Sequence, residues 1–194
     1  PASTTAGIQQ LIKQLLSRCS IPAVVDAGAL PALPDKLSPR ILLTPHHGEL
    51  SRLLRSKVPD IERDRLNFAI RGARNFQCSL LLKGDPTLVA TAGGSFLVSR
   101  EGTPVLAQGG SGDVLSGIAA ALLGQGLNAA EAGACAAYLQ GRAARLSGVP
   151  VGLGAETLCE FVPQAWASIF SKSSEKSRNL LSFSPHNGMT TQST

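Results

Sequence analysis

At 194 residues the chain is long enough for one domain with a sizeable core, and its 43% apolar content is that of a globular protein. The formal charge is +5, but only 4% of residues are aromatic and no run of five basic side chains occurs, so stacking platforms for nucleic acid are scarce and an anionic small molecule accounts for the sign equally well. No stretch of about eighteen apolar residues is present to span a membrane, and no signal peptide is visible, so the expectation is a cytoplasmic protein with neither membrane nor nucleic-acid partner.

Residues 5–19 place Ile8, Leu11, Ile12, Leu15, Leu16 and Cys19 at helical spacing on one face. An apolar run over 21–27 then reads as a buried strand ending at Asp26. A proline-rich connection over 31–39 leads to a second strand, Ile41 to Thr44. This rhythm is that of a parallel α/β sheet. Pro45-His46-His47-Gly48-Glu49 follows the second strand, where open α/β sheets bind ligands. A short helix is predicted over 49–55, and a longer one over 61–75 with Asp60 as its cap.

The third strand, Ser79 to Leu82, ends in Lys83, Gly84, Asp85, Pro86 and Thr87. Two short strands over 88–92 and 95–99 form a hairpin around Gly93-Gly94. A glycine loop, Gln108-Gly109-Gly110-Ser111-Gly112-Asp113, opens into a helix over 113–125, with Ser111 or Asp113 as candidate cap. Gly126 suits the C-terminal end, and Asn128 with Glu131 forms a capping box for a helix over 129–146. A last helix over 155–170 is expected to kink or split at Pro163. The polar composition from Ser171 onward predicts a disordered tail over 171–194, after a domain over 1–170. Cys19, Cys78, Cys135 and Cys159 form no CxxC pair and read as buried reduced thiols.

The glycine loop carries the chemistry. Stripped of side chains, its backbone lets N–H groups approach an anion beside the positive end of the following helix. Ser111, Gly109, Gly110 and Gly112 are therefore candidate phosphate contacts. Asp113 is placed to accept the proton of an attacking hydroxyl while the loop stabilises developing charge. Lys83 is a candidate cation for phosphates, with Gly84 permitting close approach and Thr87 adding a hydroxyl. His46 and His47 are adjacent and point to different sides of their loop, so one of them is a candidate substrate contact through a ring N–H and either fits a surface position. Neither GxxxxGKS nor GxGxxG occurs in a fitting context, and no protein metal-ligand set is apparent.

Three ordered stretches, TPHHGELSRLL at 44–54, LLLKGDPTLVA at 80–90 and AQGGSGDVLSGIAAALLGQGL at 107–127, resemble the ADP/ATP-dependent NAD(P)H-hydrate dehydratase family of the ribokinase-like superfamily. The resemblance covers roughly residues 5–170. It implies a three-layer α/β ribokinase-like domain with a mostly parallel central sheet. It also implies a carbon–oxygen lyase that repairs NADHX and NADPHX. The hydroxyl is phosphorylated from ADP or ATP with Mg²⁺, and phosphate then leaves.

By position, His46 and Asp113 match the substrate contacts. Lys83, Gly84, Asp85, Pro86 and Thr87 match the adenine-nucleotide segment, and Gly112 matches a nucleotide-contacting glycine. A homo-oligomer, tetrameric in many members, is the implied assembly. Two positions depart from the pattern: Gly28 stands where a second acid is usual in DADAL, and His47 stands where the family has proline. The family's earlier βα units are expected to be absent from this chain, an epimerase domain being a further upstream element in fused proteins. The isolated chain is then expected to be poorly active and to show an apolar sheet edge. Rival readings are a vitamin-precursor kinase of the same superfamily and a non-catalytic nucleotide-binding relative. A dinucleotide oxidoreductase lacks any hydride-transfer motif here.

Overall fold

The computed structural model describes residues 2–181, with the side chains of residues 6–170. Strands β1 (Ala23–Val25), β2 (Ile41–Leu43) and β3 (Ser79–Leu82) lie side by side and parallel. The hairpin β4 (Thr87–Ala90) and β5 (Phe96–Ser99) adds antiparallel to β3. Four strands therefore run one way and β4 alone runs against them. The order is β1-β2-β3-β4-β5.

Helices cover both faces, which is why the inner strands are continuous apolar runs rather than alternating ones. Alternate side chains of one strand enter different cores. Ile41, Leu43, Leu80 and Leu82 pack with Leu50, Leu54, Ile61, Ala69 and Ala73 on one side. Leu42, Leu81 and Val89 pack with Leu115, Ala119, Leu122, Ala136 and Leu139 on the other. The first core lies beneath α2 (His47–Leu54), α3 (Val58–Arg63) and α4 (Arg65–Phe76), and the second beneath α5 (Ser111–Gly124), α6 (Ala129–Leu146) and α7 (Ala155–Leu181). Each fully buried leucine contributes roughly 1.5–3 kcal/mol, so the sheet is pinned from both sides.

Five expectations need correction. The helix predicted over 61–75 is two helices, broken at Asp64 (φ −139°, ψ 57°); Asp64, not Asp60, accepts from the Asn67 N–H and caps α4. The cap of α5 is Gly110 (φ +85°), and neither Ser111 nor Asp113 bonds as a cap. Pro163 does not split α7, which runs through it as one helix. Of the four free thiols only Cys78 is buried; Cys19 is half-buried, and Cys135 and Cys159 are exposed because they lie on the outer faces of α6 and α7. The stretch expected as a tail begins inside α7, which continues to Leu181; its remainder, 182–194, lies outside the described residues.

The N-terminal helix α1 (Ala2–Arg18) half-buries Ile12 and Leu16 but leaves Ile8, Leu11 and Leu15 more than half exposed. Strand β1 forms the adjoining sheet edge, and Ile21 beside it is also exposed. Among the described residues no helix is long and apolar enough to cross a membrane.

Candidate functional site

The site is built where the parallel strands end. The Thr44 N–H donates to Val25 O at 3.2 Å, and the Lys83 N–H donates to Pro45 O at 3.0 Å. These two bonds carry the ladder one residue past the strands and align Asp26, His46 and Lys83 along one rim. Lys83 Nζ donates to both carboxylate oxygens of Asp26, at 2.7 and 2.8 Å, and Ser116 Oγ donates to Oδ2 at 3.1 Å. Asp26 thus fixes the ammonium from β1 and is itself fixed from α5. Asp26 and Lys83 are 14% and 23% exposed, so the ammonium keeps one side open.

The first turn of α5 lies over that ion pair. A Cβ at Gly112 would come within 3.2 Å of Lys83 Nζ and 3.5 Å of Asp26 Oδ2. Glycine lets the helix approach the pair closely; a side chain there would push the ammonium aside by a few tenths of an ångström. Two bonds hold the loop before α5. Ser111 Oγ donates to Leu106 O at 2.7 Å, and Gln140 Nε2, from a buried glutamine on α6, donates to Ser111 O at 2.5 Å. The N-terminus of α5, which no side chain caps, with Lys83 under Gly112, joins the positive end of a helix to a fixed cation.

His46 is the N-cap of α2. Its Nδ1 accepts from the Gly48 and Glu49 N–H groups at 3.0 and 3.4 Å, while Glu49 Oε2 accepts from the His46 N–H at 2.9 Å. This capping box occupies the Nδ1 lone pair and leaves the neutral ring's proton on Nε2. His47 turns to α4. Its Nε2 accepts from Arg65 Nε at 3.0 Å, and Arg65 Nη2 donates to Pro86 O at 2.6 Å. Burial, followed by the Arg65 charge, lowers the His47 pKa from 6.5. Burial also lowers that of Arg65, against the opposing pull of Asp85.

A cavity of about 370 Å³ opens between these elements, within the range of small-ligand sites. His46, Lys83, Gly84, Asp85, Thr87, Ser111 and Gly112 line it. The three stretches singled out in the sequence therefore meet around one space. Pro86, Gly109, Gly110 and Asp113 stand outside its wall, and Asp113 is exposed in the first turn of α5, next to Gly112. Sequence reasoning missed Gln140 as a wall residue, Ser116 as a partner of Asp26, and Arg65 as the link between two loops; His47, weighed beside His46, also lines the wall. Only the Asp26 position at a strand end hinted at any of these.

Comparison with known proteins gives the family of the chain. The chain is 47% identical over 141 residues to the bifunctional NAD(P)H-hydrate repair enzyme Nnr of Moorella thermoacetica, a match covering 69% of this chain and 26% of that protein. Its structure is similar to that of the ADP/ATP-dependent NAD(P)H-hydrate dehydratase from Bacillus subtilis co-crystallised with ATP/Mg²⁺, with TM-score 0.75 and 29% identity over 84% of this chain and 60% of that one. A ribokinase-like superfamily protein of Enterococcus faecalis shares the fold, with TM-score 0.67 and 22% identity over 84% and 59% of the two chains. The chain spans about a quarter of the Moorella protein and 60% of the Bacillus chain. The family profile described as NAD(P)H-hydrate dehydratase matches residues 3–159, and the chain belongs to that family.

Proposed function

We propose that this chain takes part in nucleotide-dependent dehydration of hydrated NADH and NADPH, with ADP or ATP as phosphoryl donor. The observation that carries the reading is the Asp26-held ammonium of Lys83 beneath Gly112, facing a cavity that the His46 and Gly84–Thr87 stretches also line. Phosphates bind against the α5 N-terminus and Lys83, and the Gly84–Thr87 loop flanks the rest of the nucleotide. The hydrated ring lies toward His46, whose Nε2–H donates to it.

Asp113, in the first turn beside the phosphates, takes the hydroxyl proton as that oxygen bonds to the terminal phosphorus and the bond to the nucleotide's bridging oxygen breaks. Phosphate then leaves with the former hydroxyl oxygen, the neighbouring carbon gives up a proton, and the ring double bond returns. Gly109 and Gly110 keep the approach to the helix free of side chains.

Among the described residues no group of three His, Cys, Asp or Glu side chains gathers as a metal site. That fits Mg²⁺ carried on nucleotide phosphates, which needs only one or two carboxylates. Asp85 in the cavity wall is the carboxylate it would meet, and the ion would offset phosphate charge. The reading extends to a homo-oligomeric, cytoplasmic protein whose residues 1–170 form the later part of a ribokinase-like domain.

The test mixes the protein with NADHX, Mg²⁺ and either ADP or ATP and follows the reduced-nicotinamide absorbance. Recovery that depends on one of the nucleotides, even at a low rate, supports the reading. Nucleotide-independent recovery, or none when nucleotide is bound, contradicts it.

A further inference from the structure

Arg65 does not line the cavity, yet its guanidinium ties together two loops that do. Nε donates to His47 Nε2 at 3.0 Å, and Nη2 donates to Pro86 O at 2.6 Å. Gly84 has φ +141°, and a Cβ there would meet Arg65 Nη2 at 2.5 Å and His47 Cε1 at 3.4 Å, so the guanidinium packs closely against the loop backbone. Thr87 Oγ1 closes the loop by donating to Gly84 O at 2.9 Å. Arg65 begins α4, which is anchored through buried Ala69, Gly72 and Ala73. The support behind the loop is therefore rigid.

We propose that Arg65 is a positioning residue for the 83–87 loop, and that neutral His47 holds its guanidinium in place, so that protonation of His47 loosens the adenine-nucleotide site. The proposal rests on the reading that the cavity takes the nucleotide. The imidazole accepts from Arg65 only through a free lone pair on Nε2. A protonated ring donates from both nitrogens and faces Arg65 as a like charge. The charged groups around His47 are Arg65 from α4, Glu62 from α3 and His46 beside it, and Asp85 faces Arg65. Glu62 favours the protonated ring, whereas burial, Arg65 and His46 oppose it, which puts the transition below pH 6.5.

The experiment uses wild type, His47→Gln, whose amide oxygen accepts but does not titrate, and Arg65→Ala. Two quantities are read at pH 8 and at the lowest pH at which the chain stays folded. One is amide exchange of Gly84, Asp85 and Thr87 in the free protein, corrected for intrinsic rates. The other is ADP affinity by calorimetry.

For wild type, loop protection and ADP affinity both fall on going to the lower pH, by about tenfold once His47 is protonated, the scale of one lost charged hydrogen bond. For His47→Gln both are flat. For Arg65→Ala both are reduced by about tenfold at either pH; Arg65→Lys, which cannot make both bonds, replaces it if alanine unfolds the chain. Equal pH dependence in wild type and His47→Gln, or unchanged loop protection in the Arg65 variants, overturns the proposal. Absence of ADP binding with the loop behaviour intact leaves Arg65 positioning the loop and overturns the nucleotide reading instead. ADP binding that ignores all the variants does the reverse.

Discussion

Breaking the Asp26–Lys83 pair tests whether the ammonium is held as the geometry indicates. At 2.7 Å the gross attraction is about 6 kcal/mol for an effective dielectric of about 20, but desolvation of both ions offsets most of it. Charged hydrogen bonds of this kind leave a net of roughly 1.5–3 kcal/mol. Lys83 is 23% exposed and can rehydrate when its partner is removed, which keeps the loss toward the lower end. The double-mutant cycle of Asp26→Asn with Lys83→Met is therefore expected to give a coupling of about 2 kcal/mol in urea unfolding. Each single variant should melt about 4–8 °C lower. The variants should also weaken ADP binding, since an unheld lysine no longer sits under Gly112. A coupling below about 0.5 kcal/mol with unchanged melting would refute the claim that Asp26 fixes Lys83.

Other outcomes follow from single features of the structure. Burial pushes the Cys78 thiol up to about 12, so a thiol reagent at neutral pH should label exposed Cys159 rapidly and Cys78 only on unfolding, as read by mass spectrometry of the labelled peptides. His47 has a lowered pKa, so the native state resists a proton that the unfolded chain accepts near 6.5. Its contribution is therefore complete above pH 6.5 and declines as pH falls toward its native value; His47→Gln should flatten that part of the stability profile in urea titrations. Asn128→Ala removes the acceptor for the Glu131 N–H at the start of α6 and should cost about 1 kcal/mol by chemical denaturation.

The parts legible in the sequence were those whose signal is local. Continuous apolar runs at 41–43 and 80–82 announced strands buried on both faces, and the Asn128/Glu131 box marked the start of α6. The helix break at Asp64 was missed because Asp60 and Asp64 carry the same side chain four residues apart, and only the backbone at Asp64 distinguishes them. Cys135 and Cys159 misled because their alanine- and leucine-rich surroundings define a helix without defining which side faces out. The site shows the same division. Its three loops stood out as motifs, but the bonds joining them did not. Ser116 reaches Asp26 across 90 residues and Gln140 reaches Ser111 across 29, separations at which no spacing rule operates.

The central claim concerns Asp113, which stands beside the cavity and is assigned the proton of the attacking hydroxyl. Asp113→Asn keeps the size and polarity of the side chain and removes the basic oxygen. The account predicts that nicotinamide absorbance recovery from NADHX falls by a factor of about 10²–10⁴, while calorimetric ADP affinity changes less than about threefold. Recovery at the wild-type rate in this variant would contradict the account.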